Sequence, residues 1–326
     1  MAAGAPPLAA GAPPLAAGAP PLAAGAPPLA AGAPPLAAGA PVLNRIVLLH
    51  IAVRKALQSQ AQECSALSPG PVDKLAAHVH ALRKKTRQTR ALVRLIGPAL
   101  VSDRVVKRAL RDLASASRLL SLARDAEMLP NALELLPLPL RMRTPLLTQT
   151  LLNQRAVVAA DPGSQLLLSQ SAQAVQAATL AFVQQLPTTI AQKTILEGLR
   201  QCLHRVRSCR KQADKHPRPE AFHDLRKACK DLRHQLEWLG VDREHVLYAE
   251  LVQFVRALGS VTDLLALDIW LRKAGQGCPA AEQAAVRKAL DKSLARSTGK
   301  LIARCKALLP DKPRRMAARL LAELGW

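Results

Sequence analysis

The sequence predicts an all-α protein, and three observations carry that expectation. Hydrophobic residues make up 49% of the 326 residues but aromatics only 2%, so leucine and alanine must fill the interior. That composition suits helices, because strands draw on β-branched and aromatic side chains. From Asn44 onward apolar residues recur at helical spacing in segments at 44–66, 72–96, 102–129, 144–160, 164–186, 188–214, 219–239, 242–274, 279–308 and 311–325. No stretch alternates convincingly as a strand would. The segments are separated by turn signals at Ser68-Pro69-Gly70-Pro71, Pro137–Pro139, Asp161-Pro162-Gly163, His216-Pro217-Arg218-Pro219 and Gly275–Pro279.

The first element is a repeat. The heptad AAGAPPL occurs five times from Ala2 to Leu36 and decays to AAGAPVL, which ends at Leu43. The Pro-Pro pair in each full unit forbids a continuous helix, and the stretch carries no charge. Residues 1–43 therefore read as a disordered or polyproline-like leader, either functionally idle or serving to bridge to another component. Residues 44–326 read as one helical domain, its first half at about 44–162 and its second at about 163–326.

Charge narrows the partners. With 46 Lys and Arg against 23 Asp and Glu, the formal charge is +23, and the pI is near 10.8. A surface this positive repels itself unless something anionic neutralises it, which leaves nucleic acid, polyphosphate or an anionic membrane surface. Cys64, Cys202, Cys209, Cys229, Cys278 and Cys305 are scattered without a CxxC or a ligand cluster, which points to reduced thiols and no metal site. No uninterrupted apolar run reaches the ~18 residues that a membrane helix needs. The N-terminus lacks a charged region followed by an apolar one, so the expected location is the cytoplasm.

Two helical segments carry the information about function. In the first, His80, Arg83, Lys84, Arg87, Arg90 and Arg94 stand at offsets 0, 3, 4, 7, 10 and 14. At ~100° per residue they fall within an arc of about 120°, opposite Leu82, Leu92, Val93, Leu95 and Ile96. In the second, His223, Arg226, Lys227, Lys230, Arg233 and His234 repeat the pattern opposite Leu225, Leu232, Leu236 and Leu239, with Glu237 in the place of Arg94. A shift of 143 residues superimposes His80 on His223 and Arg87 on Lys230. Downstream, the segment from Arg118 to Asp125 aligns with Arg256 to Asp263 at a shift of 138, so the chain is an internal duplication. Like charges three and four residues apart each cost a helix ~0.2–0.5 kcal/mol, so such a stripe invites an anion. A solvated surface face is the plain alternative for one stripe, and its recurrence with the histidine in register argues against it.

These residues resemble the CHAD family, the conserved-histidine α-helical domain. The resemblance lies in Val79-His80-Ala-Leu82-Arg83-Lys84-Lys-Thr-Arg87-Gln-Thr-Arg90 and again in Phe222-His223-Asp-Leu225-Arg226-Lys227-Ala-Cys-Lys230-Asp-Leu-Arg233, with Leu120-x3-Arg124-Asp125 and Leu258-Gly259-x3-Asp263 as a second signature. It extends over roughly Asn44 to Trp326. Ser121 and Thr262 depart from a glycine and an asparagine expected in that second signature. The resemblance implies two pseudo-symmetric helical bundles whose basic helices face a shared groove, and binding of inorganic polyphosphate, often at polyphosphate granules. Residue by residue that role falls on His80, Arg83, Lys84, Arg87, Arg90, His223, Arg226, Lys227, Lys230 and Arg233, with Arg94, Arg111, Arg118 and Arg256 as flanking cations.

Chemistry agrees with that implication. Arginine pairs with phosphoryl oxygens in bidentate fashion and lysine meets them as a point charge. Each histidine either donates to phosphate or serves as a structural hydrogen-bonding group, and the sequence leaves both open. Asp125 and Asp263 are expected to orient an arginine or cap a helix. No catalytic residue, cofactor or metal ligand is predicted: no P-loop, GxSxG or HExxH occurs, and His223-Asp224 lacks the further ligands of a metal phosphohydrolase. The ExExK strand of the hydrolase domain often fused to CHAD domains is also missing. Non-specific nucleic-acid binding is the rival reading, opposed by the scarcity of aromatics for base stacking.

Overall fold

The computed structural model describes residues 42–67, 74–100, 102–273 and 277–325, with side chains from Leu49 onward. Twelve α-helices occur among these residues and no strand does: α1 (Val42–Ser65), α2 (Leu75–Ile96), α3 (Asp103–Leu119), α4 (Ser121–Glu134), α5 (Leu138–Arg141), α6 (Pro145–Ala160), α7 (Pro162–Gln184), α8 (Gln192–Lys215), α9 (Pro219–Trp238), α10 (Val246–Lys273), α11 (Ala280–Leu308) and α12 (Pro313–Glu323). The leader up to residue 41 lies outside the described residues, as does the break at Ser68–Pro71. Val42 and Leu43, the last letters of the decayed repeat, already belong to α1.

The all-α class is what the structure shows, with two places drawn differently, the first being the Pro137–Pro139 break, which opens the short helix α5. The stretch read as one helix over 102–129 is two helices, interrupted at Leu120, and the second runs past Pro130 to Glu134. The Ser121 hydroxyl donates to the Arg118 carbonyl at 2.7 Å at that break. The apolar period keeps its phase across Leu113, Ala116 and Leu120, all buried, so periodicity alone does not reveal the interruption. Its counterpart in the second half, α10, passes through Gly259 unbroken.

Packing assembles two bundles and an excursion. Helices α1, α2 and α3 pack together with α7, which follows the Asp161–Gly163 turn, so the first bundle takes in a helix from beyond that turn. Helices α8 to α12 form the second bundle, and α4 and α6 reach across to α10 and α11. A large core runs through both bundles, and a smaller one joins Leu129, Leu133, Leu147 and Leu151 to Leu264, Leu267, Val286 and Leu290. Helix α7 carries no charged residue and is long and apolar enough to cross a membrane by length and composition. The earlier criterion of an unbroken apolar run passes over it because serine and glutamine interrupt the sequence. One of its faces, including Leu168, Val175 and Phe182, is buried against α1 and α3.

The joint between the bundles fixes where the basic stripes lie. Helix α8 meets α2 so closely that a Cβ on Gly198 would stand 1.9 Å from the Leu95 carbonyl oxygen, a contact that only glycine allows. Helix α9 lies against α2 in the opposite sense: as the position advances from Gln88 to Ala91 to Arg94, its partner retreats from Trp238 to Gln235 to Asp231.

Candidate functional site

The apolar faces place the stripes. On α2, Val79, Leu82, Leu92, Leu95 and Ile96 are buried, and the Thr86 hydroxyl returns to the Leu82 carbonyl at 2.8 Å. On α9, Phe222, Leu225, Leu232 and Leu236 are buried likewise. Two core-facing stripes on antiparallel neighbours leave the cationic faces of both helices meeting along one seam. The Trp238 indole donates to the Gln88 carbonyl and the Gln235 amide to the Ala91 carbonyl, each at 3.2 Å, which holds the seam in register.

At the centre of the seam sit Arg83 and Arg87 from α2, Arg226, Lys230 and Arg233 from α9, and Arg124 from α4. Burial first, then Arg87, Arg226 and Arg233, push the Lys230 ammonium down to about 6, with Asp263 opposing. Burial and the Arg83, Arg226, Arg124 and Arg233 charges lower Arg87 to about 10, and burial with Arg124 lowers Arg83 to about 10 against the pull of Asp125. Burial, followed by Lys227, Arg124 and Arg226, pushes His223 down to about 4. His80 is lowered by burial and then by Arg87, Lys230, Lys84 and Arg83. In each case desolvation disfavours the charged form and like neighbours add to it.

Few acids offset this charge, and each does a defined job. Asp263 and Thr262 of α10 accept from Arg226 Nη1 at 3.0 and 2.7 Å, so Asp263 orients an arginine of the stripe. Gly259 gives that guanidinium room, since a Cβ there would lie 3.1 Å from Arg226 Nη2. The duplication is not exact here. Asp125 accepts from its own neighbour Arg124 at 2.6 Å, while Arg83 donates instead to the Ser117 carbonyl at 2.9 Å. Glu237 accepts from the Tyr248 hydroxyl at 2.7 Å and lies 2.6 Å from buried His234 Nδ1, so that histidine is structural. Even so, the Nε groups of Arg83, Arg90 and Arg226 are buried with no hydrogen-bond partner among the described residues. Buried donors left open in this way are what an anion would satisfy.

The remaining cations of the sequence reading fall in different places. Arg90 lies within reach of the charges of Asp231, Arg205 and Arg118, and Lys84 sits near Glu237, Arg233 and Arg243. Arg94 is committed to buried Asp231 at 3.1 Å, an acid that it shares with Arg205 at 2.5 Å. Lys227 is exposed and 3.2 Å from Asp224. Arg111, Arg118 and Arg256 are exposed on α3 and α10, and Arg118 donates to Ser115 Oγ at 2.6 Å. Two residues at the seam were not assigned from sequence. Arg124 stands in the second signature without a role assigned to it, and Arg205 hides in a run of basic residues on α8 that has no counterpart stripe. Among the described residues, no group of three or more His, Cys, Asp and Glu able to hold a metal ion occurs.

A family model for the CHAD domain matches residues 55–272, from α1 through nearly all of α10. The chain belongs to the CHAD family. Among solved structures it is similar to the crystal structure of the CHAD domain from the plant Ricinus communis, at 19% identity, with 91% of this chain and 98% of that chain covered and a TM-score of 0.48. No curated protein matches the chain. Both histidine-containing stripes and both halves of the second signature lie inside the CHAD match, whereas α11 and α12, which complete the second bundle, lie beyond it.

Proposed function

We propose that the α2–α9 seam binds a linear polyanion, inorganic polyphosphate in the first place, by charge neutralisation and without catalysis. The observation that carries this reading is the clustering of cations along the seam: burial first, then the Arg87, Arg226 and Arg233 charges, drive Lys230 down to about 6. A phosphate chain laid along the seam relieves that repulsion and offers oxygens to the open Nε donors of Arg83 and Arg226. Membership of the CHAD family supports the same choice of ligand. Phosphates follow one another more closely in polyphosphate than along a nucleic-acid backbone, so cations converging from two helices each meet a dense run of phosphoryl oxygens. On this reading the protein works in the cytoplasm at polyphosphate granules, and the histidines, neutral when the seam is empty, gain a second N–H donor and a charge once the anion raises their proton affinity.

The test is a titration of the purified protein with long-chain polyphosphate and with duplex DNA at equal phosphate concentration over a salt series. Polyphosphate should bind more tightly at physiological salt. A variant with Arg83, Arg87, Arg226 and Lys230 changed to Ala should lose that binding while keeping its helical circular-dichroism spectrum. Equal or tighter DNA binding would give the site to nucleic acid instead.

A further inference from the structure

A second basic feature stands apart from the seam. Where α8 passes the C-terminal end of α11, Arg207, Arg210 and Lys306 line a cleft of about 470 Å³ walled by Leu309 and Pro310. No Asp or Glu is among the described residues that line it. Arg207 is held at the cleft by its Nη1 donating to the Asp311 carbonyl at 2.7 Å. Arg210 has one acid nearby, Asp214 at 3.6 Å, itself largely exposed. The cleft also takes in Cys305, whose thiol is lowered by a hydrogen bond from Cys229 and by the Arg210 charge, against burial. Of the other cysteines, Cys64, Cys202, Cys209 and Cys229 are pushed up by burial. The positive character of the cleft rests on its three cations and the lack of an acid among its described lining residues.

We propose that this cleft is a second anion site, separate from the seam, and that it takes a small phosphate monoester bearing an apolar alkyl or aryl group. Three cations meet the phosphate dianion. Leu309 and Pro310 meet the apolar group, for which a bare phosphate polymer has no counterpart. The volume falls within the ~300–1,000 Å³ range of small-molecule sites. The site does not depend on polyphosphate being the ligand of the seam.

Calorimetric titration with phenyl phosphate tests it, using the full chain with Arg83, Arg87, Arg226 and Lys230 already changed to Ala so that the seam contributes nothing. Saturable binding is expected, tighter than that of inorganic phosphate. Lys306→Glu, a change at an exposed position that leaves the core untouched, should weaken it roughly ten-fold by reversing one of three charges. The proposal fails if no saturable binding occurs. It fails equally if Lys306→Glu leaves the affinity unchanged.

Discussion

Lys230→Met should make the free protein more stable and its polyanion binding weaker. The ammonium of Lys230 falls from 10.5 to about 6 in the fold. At pH 7 the folded chain holds it mostly neutral, whereas the unfolded chain binds its proton. Releasing that proton over some three and a half pK units corresponds to about 5 kcal/mol at ~1.4 kcal/mol per unit. Lys230 is half-buried rather than fully enclosed, which discounts that figure to about 2 kcal/mol. Methionine fills the same path through the seam without the charge. A gain of about 2 kcal/mol raises the melting temperature by roughly 4–8 °C for a chain of this size. The pH dependence follows from the same shift. Between about pH 6 and 10 the unfolded state binds more protons at this site, so wild-type stability climbs with pH, and the variant should flatten that climb. Thermal unfolding followed by circular dichroism from pH 6 to 9 reads both effects, and a polyphosphate titration reads the accompanying loss, roughly ten-fold for one charge. A lower melting temperature at pH 7, or an unchanged pH slope, would refute the reasoning that Lys230 sits in a repulsive, desolvated cluster.

Other consequences follow from the same geometry. Because a bound anion restores the proton affinity of Lys230 and of the histidines, polyphosphate binding at pH 7.5 should take up protons. Calorimetry in buffers of different ionisation enthalpy should show that uptake, and affinity should rise as pH falls from 8 to 6. Gly198→Ala forces a Cβ to 1.9 Å from the Leu95 carbonyl and should lower the melting temperature by roughly 10 °C, as overpacking of about 3 kcal/mol does. Asp231→Asn strips Arg94 and Arg205 of their shared partner. It should cost about 3 kcal/mol in denaturant unfolding, as breaking a buried ion pair does.

Much of the site was legible because a helix turns residue spacing into geometry. The offsets of His80, Arg83, Arg87 and Arg90, set against Leu82 and Leu92, fix one cationic and one buried face, and the copy on α9 fixes the second. What spacing cannot convey is which neighbour each face meets. Arg94 has the same phase as its companions, yet Asp231 from the facing helix takes it up. Arg124 and Arg205 reach the seam from α4 and α8, elements whose own patterns announce no stripe. The break at Leu120 escaped for a related reason, since an interruption of one residue barely disturbs an apolar period. The pairing of α7 with α1 and α3 was also hidden, because a charge-free helix offers no complementary pattern by which to choose partners.

The central claim is that the seam, rather than positive charge in general, holds the polyanion. Two quadruple variants of equal net charge test it most directly. One carries Arg83, Arg87, Arg226 and Lys230 changed to Ala, and the other carries Lys107, Arg108, Lys288 and Lys292 changed to Ala, all exposed positions away from α2 and α9. Their affinities for long-chain polyphosphate are measured side by side at physiological salt. The account predicts that the first loses at least two orders of magnitude while the second stays within a few-fold of wild type. Equal losses in the two variants would contradict it and reduce the binding to the chain's overall charge.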